Sequence, residues 1–262
     1  MRWLERLIRA PEPMVEDQMT AALAAARRND YATAFGLWEP LAHKGVARAQ
    51  NNIGACFAEG LGVPRDHRLA LRWLSAAAEA GDPVGQRNLA NLCFKGEGAL
   101  RDSARAESLY RAAAEQGDGP AQDMLSWILL EGEAVVEADL AEARRWALAA
   151  AQQGIATSMT RLGMIYHHAL GVARDPVEAA NWWRRGAERG DADAQAMLGA
   201  ACHLGAGLRR NPLEGYVWLL RACAGQSPLA AKFLDAARAA LSPDETAEAE
   251  RRAAAPLSEP PP

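Results

Sequence analysis

One spacing governs this chain: residue character returns every 36 positions, with a single extra residue near position 139. Ala49, Gly85, Ala121, Ser158, Ala194 and Ala230 form one register, all small. Four residues on, Ile53, Leu89, Leu125, Leu162, Leu198 and Leu234 are all large and aliphatic. A third register holds Ala70, Ala106, Ala143, Ala179 and Gly215, and a fourth holds Trp73, Leu109, Trp146, Trp182 and Trp218. A unit this short cannot enclose a core of its own. It buries its apolar face only against its neighbours, so the chain must stack.

Within a unit the apolar positions follow helical spacing twice. Ala49, Ile53, Gly54 and Phe57 share one face, and Ala70, Trp73, Leu74, Ala77 and Ala78 share another. Between them lies Gly60-Leu61-Gly62, which recurs as Gly96-Glu97-Gly98 and Gly205-Ala206-Gly207. Glycine suits a helix C-terminus because the left-handed region carries no Cβ clash for it. Asp30, Asp66, Asp102, Asp139, Asp175 and Asn211 occupy one register at the start of each second helix, where a short oxygen accepts from free amides. Pro176 and Pro212 follow at the position that best tolerates proline. Gly45, Gly81, Gly117, Gly154 and Gly190 close the second helices. Each unit therefore reads as helix A, a glycine turn, helix B and a Gly-Asp turn. The expected fold is all-α, a right-handed α-solenoid of stacked helix-turn-helix repeats of about 36 residues.

The first full unit, from Ala49 through Gly54, Gly60, Asp66, Ala70 and Trp73 to Gly81, resembles the Sel1-like repeat, a relative of the tetratricopeptide repeat. The resemblance covers five copies over 46–226. Residues 15–45 read as a degenerate helix pair before them, and 227–254 as C-terminal capping helices opened by the box Ser242-Pro243-Asp244-Glu245. Segment 1–14 carries Trp3, Leu4, Leu7 and Ile8 on one helical face, to cap the first repeat or to meet a partner or membrane surface. Tail 255–262 is Pro-rich and expected to be disordered. The copies are unequal: Gly132 is followed by Ala134 where the second turn glycine stands elsewhere, and Ala169 replaces the first.

The formal charge of −4 argues against nucleic acid as a partner. No stretch approaches the roughly 20 apolar residues that span a bilayer, so no integral membrane segment is expected. Cys56, Cys93, Cys202 and Cys223 form no Cys-x-x-Cys pair and read as small core hydrophobes in a reducing compartment. The Arg- and Pro-interrupted N-terminus lacks the apolar core of a signal peptide; together these features suggest a cytoplasmic location.

Nothing in the chain carries a catalytic signature. The glycines recur with the repeat rather than forming a phosphate loop, and no Gly-x-Ser-x-Gly or His-Glu-x-x-His occurs. The abundant carboxylates follow capping registers or solvated faces. His167 and His203 share a register one helix spacing apart, about 8–10 Å, with His168 and Cys202 beside them. They lack a compact four-ligand arrangement, and read instead as part-exposed histidines on a binding face. The expectation is a non-enzyme without metal or cofactor.

What the repeat does not explain is the outward surface of the A helices. The resemblance implies that these helices line a concave face and that another protein binds there. Those positions vary between units: Asn52 and Ala55, Asn88 and Asn91, Met124 and Trp127, Arg161 and Met164, Met197 and Ala200. Trp127 stands out because the repeat's own tryptophans sit in another register. Tryptophan and arginine are enriched at binding hot spots, and methionine adapts to irregular partners. The expected contact residues are Asn88, Asn91, Met124, Trp127, Arg161, Met164, His168 and Met197. The competing reading has Trp127 pack over an irregular loop of the third unit. The expected function is a scaffold or adaptor for protein segments; the alternatives are a peptide or glycan sensor in a regulatory or toxin-immunity system and, more remotely, a hydrolase.

Overall fold

The computed structural model describes residues 14–132 and 138–257. Segment 1–13, the third-unit loop 133–137 and tail residues 258–262 lie outside the described residues, and with them the readings of the N-terminal segment, the Ala134 turn and the end of the tail. The chain divides into two compact units, Met1–Asp118 and Gly119–Pro262. The first holds α1 (Val15–Arg27), α2 (Tyr31–His43), α3 (Ala47–Glu59), α4 (His67–Glu79), α5 (Pro83–Lys95) and α6 (Ser103–Glu115). The second holds α7 (Gly119–Glu131), α8 (Leu140–Gln152), α9 (Ala156–His168), α10 (Pro176–Glu188), α11 (Ala192–Leu204), α12 (Pro212–Ala224), α13 (Ala231–Ala239) and α14 (Pro243–Ala254). The architecture is all-α, of the α-solenoid class, in units of about 36 residues. In each unit consecutive helices pack as hairpins, and A helices of successive repeats touch: α3 with α5, then α7 with α9 and α9 with α11.

The capping register performs as its chemistry requires. Every member, from Asp30 to Asn211, accepts a backbone amide from the first turn of its B helix. The backbone amide of the same residue ties back to helix A: Asp66 N to Phe57 O at 2.9 Å, Asp175 N to Tyr166 O at 3.0 Å and Asn211 N to Cys202 O at 2.8 Å. One residue thus starts helix B and fixes its position on helix A. At the C-terminal end Ser242 and Glu245 form the expected capping box, and Ala249 of α14 is fully buried against the second unit's core.

The small and large-aliphatic registers are buried up to Leu198, and Leu234 in the C-terminal helices is half-buried. Ala49, Ala121, Ser158, Ala194 and Ala230 are all fully enclosed, as are Leu125 and Leu162. The tryptophan register behaves differently from a simple core position. Trp73 and Trp218 are half-buried. Trp146 and Trp182 lie just beneath the surface, each covered by a neighbouring guanidinium, Arg145 at 4.4 Å and Arg185 at 4.2 Å from the ring centre. The deepest tryptophan is its neighbour Trp183, in the register of Leu74, Tyr110, Ala147 and Leu219. Its ring fills space that helix A vacates: a Cβ on Gly163 would lie 2.1 Å from Trp183 Nε1. Gly54 and Gly199 make the same room for Leu74 and Leu219.

Two readings are corrected. Cys223, near the end of α12, is exposed rather than a core residue. Ala200 is buried, only 5% exposed, whereas Trp127 and Met164 of its register are half-buried.

A new regularity joins the repeats. Gln50, Gln86 and Gln195 share one register, and each donates its amide to a carbonyl at the end of the preceding B helix: Ala42 O at 3.2 Å, Ala78 O at 3.5 Å and Ala187 O at 3.2 Å. Each of these carbonyls also accepts a turn amide, from Gly45, Gly81 and Gly190, so the glutamine adds a second bond that ties one repeat to the helix end before it.

Ala169 sits at φ +59° at the end of α9, where its register otherwise holds glycine: Gly60, Gly96, Gly132 and Gly205, all with positive φ. A left-handed alanine costs about 1–2 kcal/mol, and the extra chain entropy that glycine loses on folding takes back about 0.5–1 kcal/mol. Ala169→Gly should therefore raise stability by about 0.5–1 kcal/mol, seen as a higher urea midpoint. An unchanged or lower midpoint would show that the alanine is not strained.

Candidate protein-binding groove

The second unit contains a groove of about 410 Å³ formed by α7, α9 and α11. Helical spacing puts its lining residues on one stripe of each helix: Trp127, Leu130 and Glu131 on α7, and Thr157, Thr160, Arg161 and Met164 on α9. Met197 and Asp193 of α11, with the cap residue Asp191, complete that side. Leu170, from the turn after α9, and Leu229, before α13, close the apolar lining. The floor is thus Trp127, Met164 and Met197 with three leucines, and the rim is polar. An apolar floor with a few placed polar groups is the usual composition of a binding site.

Bonds between neighbouring repeats hold the polar side chains. Asp123 of α7 accepts the guanidinium of Arg161, the hydroxyl of Ser158 and, at 3.0 Å, the hydroxyl of Thr157. Arg161 and Asp123 are 13% and 15% exposed, so the pair is largely desolvated, and removing either partner would leave a charge uncompensated. Asp191 accepts Thr160 Oγ1 at 2.6 Å and the Ala194 amide at 2.8 Å. Asp193 accepts Ser227 Oγ at 2.6 Å. The rim is therefore set in place before any ligand arrives.

Four of the residues expected from sequence meet in this groove: Trp127, Arg161, Met164 and Met197. Met124 is half-buried on α7 and His168 is exposed at the end of α9; neither lines it. Asn88 and Asn91 belong to the first unit, where both are engaged internally. Asn88 donates to Asn51 at 2.9 Å. Asn91 accepts the hydroxyl of Tyr110, a ring with no exposed surface whose hydroxyl needs a partner, and burial pushes the Tyr110 pKa up. His167 packs against the Trp183 ring, and burial, together with His168 and Arg174, lowers its pKa. Among the described residues no three His, Cys, Asp or Glu side chains are grouped as metal ligands would be. The lining residues that sequence reasoning passed over are Leu130, Glu131, Thr157, Thr160, Leu170, Asp191, Asp193 and Leu229. Thr157, Asp193 and Leu229 share one register, whose variation from Arg48 onward was the available signal.

The family model for the Sel1 repeat matches residues 47–82, 83–118, 119–155, 156–191 and 192–227, in unbroken succession. This chain belongs to the Sel1 repeat family. The boundary between its two compact units falls between the second and third Sel1 repeats, and the groove is built by the A helices of the third, fourth and fifth. A Sel1 repeat protein of Oxalobacter formigenes has a similar solved structure, with a TM-score of 0.80 and 25% identity over 93% of this chain and 99% of that one. The Escherichia coli protective antigen c5321, from uropathogenic strains, aligns with a TM-score of 0.61 at 21% identity, over 92% of this chain and 60% of that one. The immunity protein Pa5087 of Pseudomonas aeruginosa aligns with a TM-score of 0.50 at 16% identity, covering 86% and 87% of the two chains. The latter two likenesses are of fold. No curated protein matches the chain. Sel1 repeat proteins generally act as protein-interaction scaffolds. Among the described residues no helix is long and apolar enough to cross a membrane.

Proposed function

We propose that this Sel1 repeat protein is a scaffold or adaptor that grips a segment of another protein in the groove formed by α7, α9 and α11. The observation that carries the reading is the meeting of Trp127, Met164 and Met197 on one apolar floor, at A-helix positions whose character changes from repeat to repeat. A large ring flanked by flexible thioethers can follow the contour of an irregular partner. The Asp123–Arg161 pair stiffens the wall, so little ordering remains to be done on binding.

The test is capture of binding proteins from cells that express this chain, with a photo-crosslinking residue at position 164 and with Trp127→Ala as the comparison. Trp127 is a better variant than Arg161, whose loss would strand Asp123. The expected result is a protein crosslinked at position 164 that binds Trp127→Ala about thirtyfold more weakly, the loss of about 2 kcal/mol typical of a hot spot. Equal capture by both forms, with no crosslink from position 164, would remove the groove from consideration. A crosslinked species with no polypeptide mass would favour the small-ligand or glycan sensor instead.

A further inference from the structure

The charge of the same groove specifies the chemistry of its occupant, and this inference rests on the reading above. Three carboxylates line the groove: Glu131, Asp191 and Asp193. One cation lines it, Arg161, and its guanidinium is already held by Asp123. The bonds to Asp191 come from the Thr160 hydroxyl and the Ala194 amide, and the bond to Asp193 comes from the Ser227 hydroxyl. Those donors are neutral. They orient the carboxylates and leave their charge uncancelled. The carboxylates also stand at different helix ends, Glu131 at the close of α7 and Asp191 with Asp193 at the opening of α11, with the apolar floor drawn from all three helices.

We propose that the groove selects a basic amphipathic segment, in which one or two large apolar side chains are flanked by lysine or arginine. The apolar side chains fill the floor between Trp127, Met164 and Met197, and the flanking cations face Glu131 at one end and Asp191 and Asp193 at the other. An acidic segment would bring like charge against Glu131 and against Asp191 and Asp193, which internal bonds fix and which cannot swing away without losing them. The arrangement therefore excludes wrong partners as well as attracting the right one.

The experiment is selection of a random phage-displayed dodecapeptide library on the full chain, followed by titration of the selected peptides in synthetic form. Two variants serve as comparisons: Trp127→Ala, and the neutralised groove Glu131→Gln/Asp191→Asn/Asp193→Asn. Asparagine keeps both the helix cap and an acceptor for the hydroxyls, and circular dichroism with urea unfolding checks that each variant folds. The expected result is enrichment of Lys and Arg around large apolar residues, with binding lost from Trp127→Ala. The neutralised groove should bind about tenfold more weakly or worse, and raising salt from about 50 to 500 mM should weaken wild-type binding. Peptides lost from Trp127→Ala that show no excess of basic residues, or that ignore the neutralised groove, would overturn the charge inference and leave the groove reading standing. Peptides that bind Trp127→Ala as well as wild type, or no enrichment at all, would overturn both.

Discussion

Trp183→Ala is expected to lower the stability of the second unit by about 3–5 kcal/mol, the largest effect of any single truncation in the core. Trp183 is 2% exposed and occupies space that helix A leaves open through Gly163. Gly163 has no side chain and the flanking Ala179 and Ala187 are fully buried and short, so the space fills only if a packed neighbour such as the His167 ring, 5.3 Å away, leaves its own place. The cavity should therefore persist rather than collapse. Urea unfolding followed by circular dichroism measures the loss, and a change below about 1 kcal/mol would mean that the site repacks. The pairing also predicts its own reversal. Gly163→Ala should be destabilising in the wild-type chain, where the new Cβ meets the indole. It should be much less so in the Trp183→Ala background, a coupling that a double-mutant cycle reads directly. Additive effects would show that the two residues do not share the space.

Gly207→Ala is expected to cost about 2–5 kcal/mol, from two sources that its neighbour separates. Gly205 and Gly207 flank the same turn, at φ +78° and +74°. At Gly205 an added Cβ would come no closer than 3.2 Å, to the Arg210 side chain, so Gly205→Ala should cost only the left-handed penalty of about 1–2 kcal/mol. At Gly207 the Cβ would fall 1.9 Å from the backbone oxygen of Pro176, the first residue of α10, and backbone there cannot step aside. Gly62 and Gly98 approach Tyr31 and His67 of the first unit in the same way, at 2.6 and 2.7 Å. In these three loops the second turn glycine thus seats the loop on the start of the preceding B helix. Equal losses for Gly205→Ala and Gly207→Ala would refute that role and leave only the backbone angle.

The repeat, its helix boundaries and its caps were legible in the sequence because they depend on local chemistry. An aspartate three residues before an amide, a glycine after a helix and a small–large alternation act within a turn or two of chain. Identical local signals repeated at a fixed interval leave stacking as the only way to bury the apolar faces. Four of the eight residues expected from sequence line the groove, legible on the same ground: Trp127, Arg161, Met164 and Met197 break registers that the repeat otherwise explains. Asn88 and Asn91 break them too. Sequence position alone did not show that Asn51 and the Tyr110 hydroxyl already claim them. Trp182 and Trp183 are adjacent and both buried, and only the space beside Gly163 decides which ring lies deeper.

What the sequence by itself determined is the kind of unit, its length and the order in which units follow, since each rests on interactions within some 36 residues. Tertiary structure decided which variable side chains share a space. Leu229, Asp193 and Thr157 are separated by a full repeat from one another, yet stacking brings them to one groove. It also decided that Asp123 reaches across a repeat boundary to hold Arg161, and that carboxylates at the ends of α7 and α11 line the same groove. Those distances depend on how far and at what angle one helix pair settles on the next, a quantity set by the summed volumes of many side chains and written in no single stretch of sequence.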